Sequence, residues 1–368
     1  MVCIAAFIIL AIVGIFVAFL SIFRKDIGRK YWKVFKKSLH CFTHHITFRK
    51  CDTNFKDDVK NLLLKKVVIK HPKAVKPLSA TIEVAAFLIV AVSIWSLATA
   101  VKSGLALWTL GSCNVRQPSA CTLGAEACGI DSGEESKNFI ESVGLWFTDW
   151  GQIFEAIPDK FRSWDTSNFE LEGIDTSVMA ESNAETAIDI LDPGCSVCAQ
   201  SFTLQLESEF FRNHKVTIVP FPIQDEEGNF KFKNSELIVR YVLAMEQQGL
   251  PIDEEDEGAL SPAFKTMRRV LIENGEYETE AKTYTYSYQQ MFNEMYSAEE
   301  AEAKLKEWLK EFGYHSAERS EIIERAHSDQ IGEVIKKNNE IVTKDIHAKG
   351  IPTMIYDGRK HTGKYEEK

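Results

Sequence analysis

The sequence predicts an α/β domain with a large helical insertion, preceded by two transmembrane helices. Two apolar segments, residues 1–23 and 80–102, predict the membrane helices because each is long enough to cross a bilayer. A strand, a helix and a second strand follow one another between residues 184 and 223, an order typical of α/β domains. Residues 224–350 then read as helices, and the chain returns to strand at residue 350.

The two apolar segments are interpreted as spans because of their length and their flanks. Residues 1–23 contain no charged side chain and form a run too long for a simple signal-peptide core. Residues 80–102 are interrupted only by Glu83 before Lys102 ends the segment. The alternative for either segment is a buried core helix.

The charge distribution predicts the orientation in the membrane. Residues 24–79 carry 16 Lys and Arg against four Asp, whereas the residues after Lys102 carry 26 basic and 48 acidic side chains. The positive-inside rule places the basic loop in the cytoplasm and the acidic C-terminal region outside it, so we expect a two-pass protein. That outer compartment is oxidising, and an acidic exported domain excludes nucleic acid as an expected partner.

Residues 103–182 form an expected exported linker with two parts. The first holds Cys113, Cys121 and Cys128 among Gly, Ser, Pro and Asn residues, and we expect a local disulfide with one thiol left over. The other interpretation is a relay that exchanges electrons with cysteines further along the chain. The second part, residues 138–157, has an apolar helical stripe that either covers the folded domain, which is the default, or lies in the outer membrane interface.

Cys195-Ser196-Val197-Cys198 is the motif in the chain most directly suited to chemistry. A buried strand, residues 184–191, ends at Asp-Pro-Gly, and helical spacing begins at the first cysteine. Unpaired N–H groups and the helix dipole favour an anion at a helix start. We therefore expect Cys195 to be the nucleophilic thiol of lower pKa and Cys198, one turn on, to resolve the mixed disulfide.

The later elements complete the predicted domain, residues 183–368. A second strand is expected at residues 215–223, and a β-hairpin is expected to start at Gly350-Ile351-Pro352-Thr353 and turn at Asp357-Gly358. The insertion between them, residues 224–350, predicts helices at residues 235–248, 261–273, 284–296, 298–312, 316–326 and 331–346.

The motif, the strands around it and the Gly-Ile-Pro-Thr segment together resemble the DsbA-like branch of the thioredoxin superfamily over residues 182–366. The resemblance implies a thioredoxin fold in which Cys195 attacks, Cys198 resolves and Pro352 faces them as a cis-proline. It also implies that the Ile351 backbone binds an extended substrate by strand addition. The positions next to these, Ser196, Val197 and Thr353, are then expected to border the bound substrate.

That resemblance implies a membrane-anchored thiol-disulfide oxidoreductase without a cofactor. Its expected partners are exported protein thiols or disulfides, a membrane or soluble redox partner, and the lipid bilayer. Strongly oxidising relatives carry a histidine between the cysteines where this chain has Ser-Val, so the redox direction stays open. The insertion is also larger than is usual in this branch.

Two other classes of function compete with this interpretation. One is a membrane-tethered interaction module in which the cysteines form a static disulfide. The other is metal handling by Cys195 and Cys198 with a distant His or Met. No second CxxC supports a metal site, and the spacing of Cys41, His44, His45 and Cys51 fits no common zinc module, so none is expected.

Overall fold

The structure is a computed structural model. It describes residues 75–118, 127–130, 138–225, 228–252, 260–278 and 282–366, together with residues 32, 35, 36, 39 and 40. The chain divides into two compact units, Met1–Val101 and Lys102–Lys368. The expected first span, residues 1–23, lies outside the described residues, as does nearly all of the basic loop, residues 24–79.

Helix α1 (Val75–Leu110) contains the second expected span. Among the described residues, one helix is long and apolar enough to cross a membrane, over Pro77–Leu110. At 1.5 Å per residue its 36 residues extend about 54 Å, more than the roughly 30 Å of a hydrocarbon core. Large apolar side chains such as Val84, Phe87 and Leu97 are exposed along it.

The unit Lys102–Lys368 contains nine strands and a succession of helices among its described residues. The strands are β1 (Cys128–Gly129), β2 (Ile174–Asp175), β3 (Glu185–Leu191), β4 (His214–Pro220), β5 (Asn274–Glu278), β6 (Thr283–Ser287), β7 (Gly350–Ile351), β8 (Thr353–Tyr356) and β9 (Arg359–Thr362). The helices are α2 (Phe139–Ala156), α3 (Ser196–Glu207), α4 (Phe210–Asn213), α5 (Ser235–Gln248), α6 (Pro262–Ile272), α7 (Ala298–Glu311), α8 (Ser316–Ala326) and α9 (Asp329–Glu340).

A five-stranded mixed sheet in the order β2-β4-β3-β8-β9 organises this unit. Strand β3 lies at its centre, parallel to β4 and antiparallel to β8. Its last residues are buried and mostly apolar because helices or loops cover both faces of a central strand. The α/β order β3-α3-β4 and the β8–β9 hairpin confirm the predicted α/β fold of this domain.

The register of the sheet brings the two predicted motifs together. Ile190 in β3 lies opposite Thr353 in β8. Pro352 therefore lies beside the turn that follows Leu191, and the Ile351–Pro352 peptide bond is cis. The residues before helix α3 and those before β8, which are 156 positions apart, thus meet at one end of the sheet.

The insertion is mainly helical, as predicted, but it also contains a β-hairpin. Helices α5 and α8 have the predicted bounds, whereas residues 284–296 were expected to be one helix. Instead β6 pairs with β5, and a helical turn (Tyr288–Gln290) and a π-helical segment (Met291–Met295) follow. The alternation Thr-Tyr-Thr-Tyr-Ser in β6 explains the difference, because β-branched and aromatic residues favour a pleated strand.

The segment expected to be a linker, residues 103–182, contributes to the unit itself. Its amphipathic helix α2 buries Ile153 and Ala156 in a small cluster with Ala106 and Leu110 at the end of α1. The buried residues of α2 thus belong to a cluster separate from the main core around the sheet. The opposite face of α2 carries Ile140, Phe147 and Phe154, which are all exposed.

Candidate redox site

Cys195 lies at the start of helix α3, where it is the N-cap residue, as the sequence predicted. The preceding turn, Asp192-Pro193-Gly194, is closed by the N–H of Cys195, which donates to the Asp192 carbonyl at 3.1 Å. Gly194 is required in that turn, because an added Cβ would lie 2.4 Å from the Cβ of Phe232. The tight turn therefore presents the Cys195 sulfur at the positive end of the α3 dipole.

Cys195 forms a disulfide with Cys128, 67 residues earlier, and not with Cys198. Of the three cysteines in the expected linker, Cys128 is thus the one that reaches Cys195, the contact that the relay interpretation requires. Cys113 is also disulfide-bonded, and Cys121 lies outside the described residues. Because Cys128 and Cys195 come from separate segments, the bond closes a long loop across the site.

Cys198 is a free, fully buried thiol one turn into helix α3. Its sulfur accepts a hydrogen bond from the Asp192 N–H at 3.4 Å. Burial raises the pKa of this thiol well above its ordinary value, and the nearby carboxyls of Asp192 and Asp189 raise it further. Cys198 therefore needs a proton acceptor before it can act as a nucleophile.

Asp189 supplies a buried carboxyl group close to that thiol. It lies in the central strand β3, and within the described part of the chain neither carboxyl oxygen has a hydrogen-bond partner. Burial raises the pKa of Asp189 to about 7, an effect that the nearby Gln205 side chain partly opposes. Such a group changes protonation near neutral pH, the range in which a general base operates.

Asp192 connects the turn that ends at Cys195 (residues 192–195, the redox turn) to the rest of the domain. Its carboxylate accepts hydrogen bonds from the Gly194 N–H at 2.7 Å, the Ile223 N–H at 2.6 Å and the Ser235 hydroxyl at 2.5 Å. Burial raises the pKa of Asp192 to about 6, although these three donors lower it. The same carboxylate thus holds the turn, the segment that follows β4 and the start of α5.

The insertion also contacts the redox turn directly. The Gln289 amide donates to the carbonyls of Pro193 at 2.8 Å and Cys195 at 3.1 Å. The Asn293 amide donates to the Gly194 carbonyl at 2.8 Å. All three residues from Pro193 to Cys195 are therefore held by side chains of the helical segment that follows β6.

The other wall of the site is the strand that ends at cis-Pro352. The Cys195 sulfur lies 3.7 Å from the Ile351 carbonyl oxygen. Thr353 is fully buried, and its hydroxyl donates to the Gly350 carbonyl at 2.7 Å. The structure thus places Thr353 where it supports β7, behind the position expected for a bound substrate, while Ser196 is exposed and Val197 half-buried at the start of α3.

Strand β1 occupies the free edge of β7. The two pair antiparallel, with Cys128 opposite Ile351 and Gly129 opposite Gly350. The Ile130 N–H donates to the Lys349 carbonyl at 3.1 Å, and the Lys231 ammonium donates to the Gly129 carbonyl at 3.1 Å. The edge expected to receive an extended substrate is therefore filled by a segment of this chain.

Sequence reasoning missed four residues that shape this site: Asp189, Asp192, Gln289 and Asn293. Asp189 had a usable signal, since a carboxylate inside the apolar run Ala-Ile-Asp-Ile-Leu is unusual for a central strand. The side chains of Gln289 and Asn293 had no such signal in the sequence.

In the described part of the chain, no group of three or more His, Cys, Asp or Glu could hold a metal ion.

Several solved structures are similar to this chain in fold. No protein-family model and no curated protein sequence matches it. MdbA, a thiol-disulfide oxidoreductase from Corynebacterium diphtheriae, has 13% identity and a TM-score of 0.34, over 53% of this chain and 91% of its own. The thiol-disulfide exchange protein alpha-DsbA2 from Wolbachia pipientis has 15% identity and a TM-score of 0.31, over 51% and 78%.

A thioredoxin-like oxidoreductase from Silicibacter pomeroyi matches with 13% identity and a TM-score of 0.31, over 49% of this chain and 79% of its own. The topology of this chain consists of a β3-α3-β4 unit with a cysteine at the helix start, an inserted helical region and a hairpin entered through a cis-proline. The unit Lys102–Lys368 thus has the β-α-β unit and the cis-proline hairpin that the sequence predicted.

Proposed function

We propose that the chain is a membrane-anchored thiol-disulfide oxidoreductase that exchanges disulfides with exported proteins through Cys195 and Cys198. One observation carries the proposal: the Cys195 sulfur is in a disulfide with a cysteine on an extended strand, while the Cys198 thiol lies free one turn away. This is the arrangement of a mixed disulfide beside its resolving thiol.

The exchange proceeds in two balanced steps. The Cys195 thiolate attacks a substrate disulfide, forms a mixed disulfide and releases one substrate thiolate. The Cys198 thiolate then attacks the Cys195 sulfur, releases the second substrate thiolate and leaves a Cys195–Cys198 disulfide. The same two steps in reverse oxidise a substrate dithiol. The geometry of the site supports both directions.

Side chains of the site support both steps. The dipole of α3 stabilises the Cys195 thiolate. Asp189 is suited to accept the Cys198 proton because it is buried near that thiol and titrates near pH 7. Residues Gly350 and Ile351 offer backbone groups to an extended substrate by strand addition, once β1 has left them.

The membrane anchor is the second part of the proposal. Helix α1 has the length and composition of a membrane span, and residues 1–23 are the proposed first span. The basic loop between them favours a cytoplasmic position under the positive-inside rule. The redox unit then lies on the extracytoplasmic side, where its substrates form disulfides.

A trapping experiment tests the exchange. Because Cys128 can itself resolve a mixed disulfide at Cys195, the trap needs the double variant Cys128→Ser with Cys198→Ser. The probe is a peptide whose cysteine is joined to glutathione by a disulfide. We expect a stable peptide adduct at Cys195, detected by mass spectrometry, with glutathione released.

The control is the same variant with Cys195→Ser as well, which should form no adduct. The absence of an adduct in the double variant across a range of pH would exclude the enzyme. The alternative, a static Cys128–Cys195 bridge in an interaction module, is supported by the complete burial of Cys195. That alternative requires the bridge to resist millimolar dithiothreitol in the folded protein.

A further inference from the structure

Strand β1 has the position and register of a bound substrate. An extended peptide that adds to a sheet edge makes main-chain hydrogen bonds and places alternate side chains in the site. Here Cys128 lies opposite Ile351, and its sulfur is bonded to Cys195. Both the covalent and the main-chain contacts of a substrate are thus already made by this chain.

The surroundings of β1 are fitted to an extended strand at this edge. A Cβ on Gly350 would lie 2.9 Å from the Cβ of Ala127, so glycine lets the segment approach β7. On the other side, Lys231 donates to the Gly129 carbonyl. Lys231 lies shortly after β4, in a part of the chain distant in sequence from β1 and β7. Two separate parts of the chain, β7 and Lys231, therefore form the seat of the strand.

The thiol beside this strand can release it. When the Cys198 thiolate attacks the Cys195 sulfur, the Cys195–Cys198 bond forms, the Cys128–Cys195 bond breaks and Cys128 leaves as a thiolate. The Cys198 proton passes to a base such as Asp189, and Cys128 takes up a proton from solvent. The number of disulfides is unchanged, so the step needs no oxidant or reductant.

We infer that the Cys128 segment is a tethered internal substrate and that Cys128 is a third redox cysteine. This inference rests on the proposed function of Cys195 and Cys198. In one disulfide isomer, Cys128–Cys195, the seat on β7 is filled. In the other, Cys195–Cys198, the seat is open to an external substrate. That substrate is an extended, cysteine-bearing segment that adds antiparallel to Gly350–Ile351 with its cysteine opposite Ile351.

The first test maps the disulfides of the full chain under equilibrium conditions. Free thiols are trapped at low pH, and the two isomers are quantified by mass spectrometry. We expect wild type to be mostly Cys128–Cys195 with Cys198 free, and the ratio to be independent of protein concentration because the exchange is intramolecular. A wild-type protein found only as Cys195–Cys198 would overturn the inference.

The second test weakens the seat without touching a sulfur. Lys231→Ala removes the hydrogen bond to Gly129, and we expect a shift of roughly tenfold towards the Cys195–Cys198 isomer. Lys233→Ala removes the same charge two positions away and should leave the ratio unchanged. Equal ratios in both variants and wild type would show that β1 is not seated by these contacts, contrary to the inference.

The third test uses a reduced peptide with two cysteines as the external substrate. Cys128→Ala cannot form the Cys128–Cys195 bond, so all of it is in the open Cys195–Cys198 isomer. If a fraction f of wild type is open, the variant should oxidise the peptide 1/f times as fast as wild type. An unchanged rate would refute the inference and leave the proposed function standing. If neither protein oxidises the peptide and the trap also fails, the proposed function itself is wrong. Should Cys128→Ala fold poorly, Lys231→Ala gives the same comparison.

Discussion

At the scale of single residues, two buried carboxyls make the site sensitive to pH, and Asp189 is the one whose pKa is raised to about 7. The Asp189 carboxyl is buried in β3 near the Cys198 thiol. Below that pH the group is neutral, and above it the group carries a charge that can accept the thiol proton. A general base gains activity as it loses its proton, so resolution by Cys198 should accelerate as the pH rises through about 7.

Asp189→Asn tests this role. We expect the rate of resolution, measured by stopped-flow with a mixed disulfide at Cys195, to be slower and to lose the step near pH 7. Attack by Cys195 on an external disulfide should keep its own pH profile. A step near pH 7 that survives the substitution would assign the base to another group.

The same substitution has an effect on stability with a defined sign. The folded protein holds the Asp189 proton up to about pH 7, whereas the unfolded chain loses it near pH 4. Folding therefore loses stability as the pH rises between these values, by roughly 4 kcal/mol in all. Asp189→Asn should thus gain stability relative to wild type by about that amount between pH 4 and pH 8 in denaturant titrations.

At the scale of elements, the insertion supports the redox turn. Gln289 and Asn293, on the helical segment after β6, bond three successive carbonyls of the turn. Carbonyls buried without a donor are costly, so these amides fix the turn in one conformation. The π-helical geometry of Met291–Met295 sets where this segment presents its side chains.

Gln289→Leu should leave two carbonyls of the turn without their amide donor. We expect the free energy of unfolding to fall by about 1–3 kcal/mol and the amides of Gly194 and Cys195 to exchange hydrogen faster. Gln290→Leu is the matched control, because Gln290 is exposed and bonds Glu294 on the same segment. Similar stability and exchange in both variants would argue against a supporting role for the insertion.

At the scale of the whole molecule, the charge pattern and helix α1 favour a two-pass topology. In sealed vesicles with the extracytoplasmic face outward, an epitope tag after residue 368 should be removed by added protease. A tag in the basic loop should be protected until detergent is added. The chain should also stay in the membrane during alkaline carbonate extraction. Release by carbonate, or the opposite pattern of protection, would contradict the proposed anchoring.

The sequence predicted those parts of the fold that depend on local patterns. The strand before Cys195, the helix after it and the Pro352 hairpin all follow from periodicity and turn residues within short windows. Helices α5 and α8 agree in their bounds with the expected segments. The helix predicted for residues 284–296 was wrong at β6. Tyr284 and Tyr288 are at helical spacing, but the tyrosines there also alternate with threonines, and this alternation favours a strand.

The pairing of Cys128 with Cys195 was beyond local reasoning. Spacing made Cys195 and Cys198 the obvious pair and favoured a local disulfide among Cys113, Cys121 and Cys128, without indicating which of the three is left over. The observed bond depends on where β7 places its free edge, which only the assembled sheet determines. Asp189 shows the same limit, because its pKa depends on burial between elements that are far apart in the sequence.

The position of Cys128 matters for anyone who wants a soluble fragment. The sequence suggests starting one at residue 183, just before β3, but such a fragment would lack Cys128, β1 and the buried Ile174 of β2. Cys195 could then pair only with Cys198. A redox potential measured on that fragment would describe a different disulfide from the one in the intact chain, and a substrate screen would start from an edge that the intact protein keeps closed.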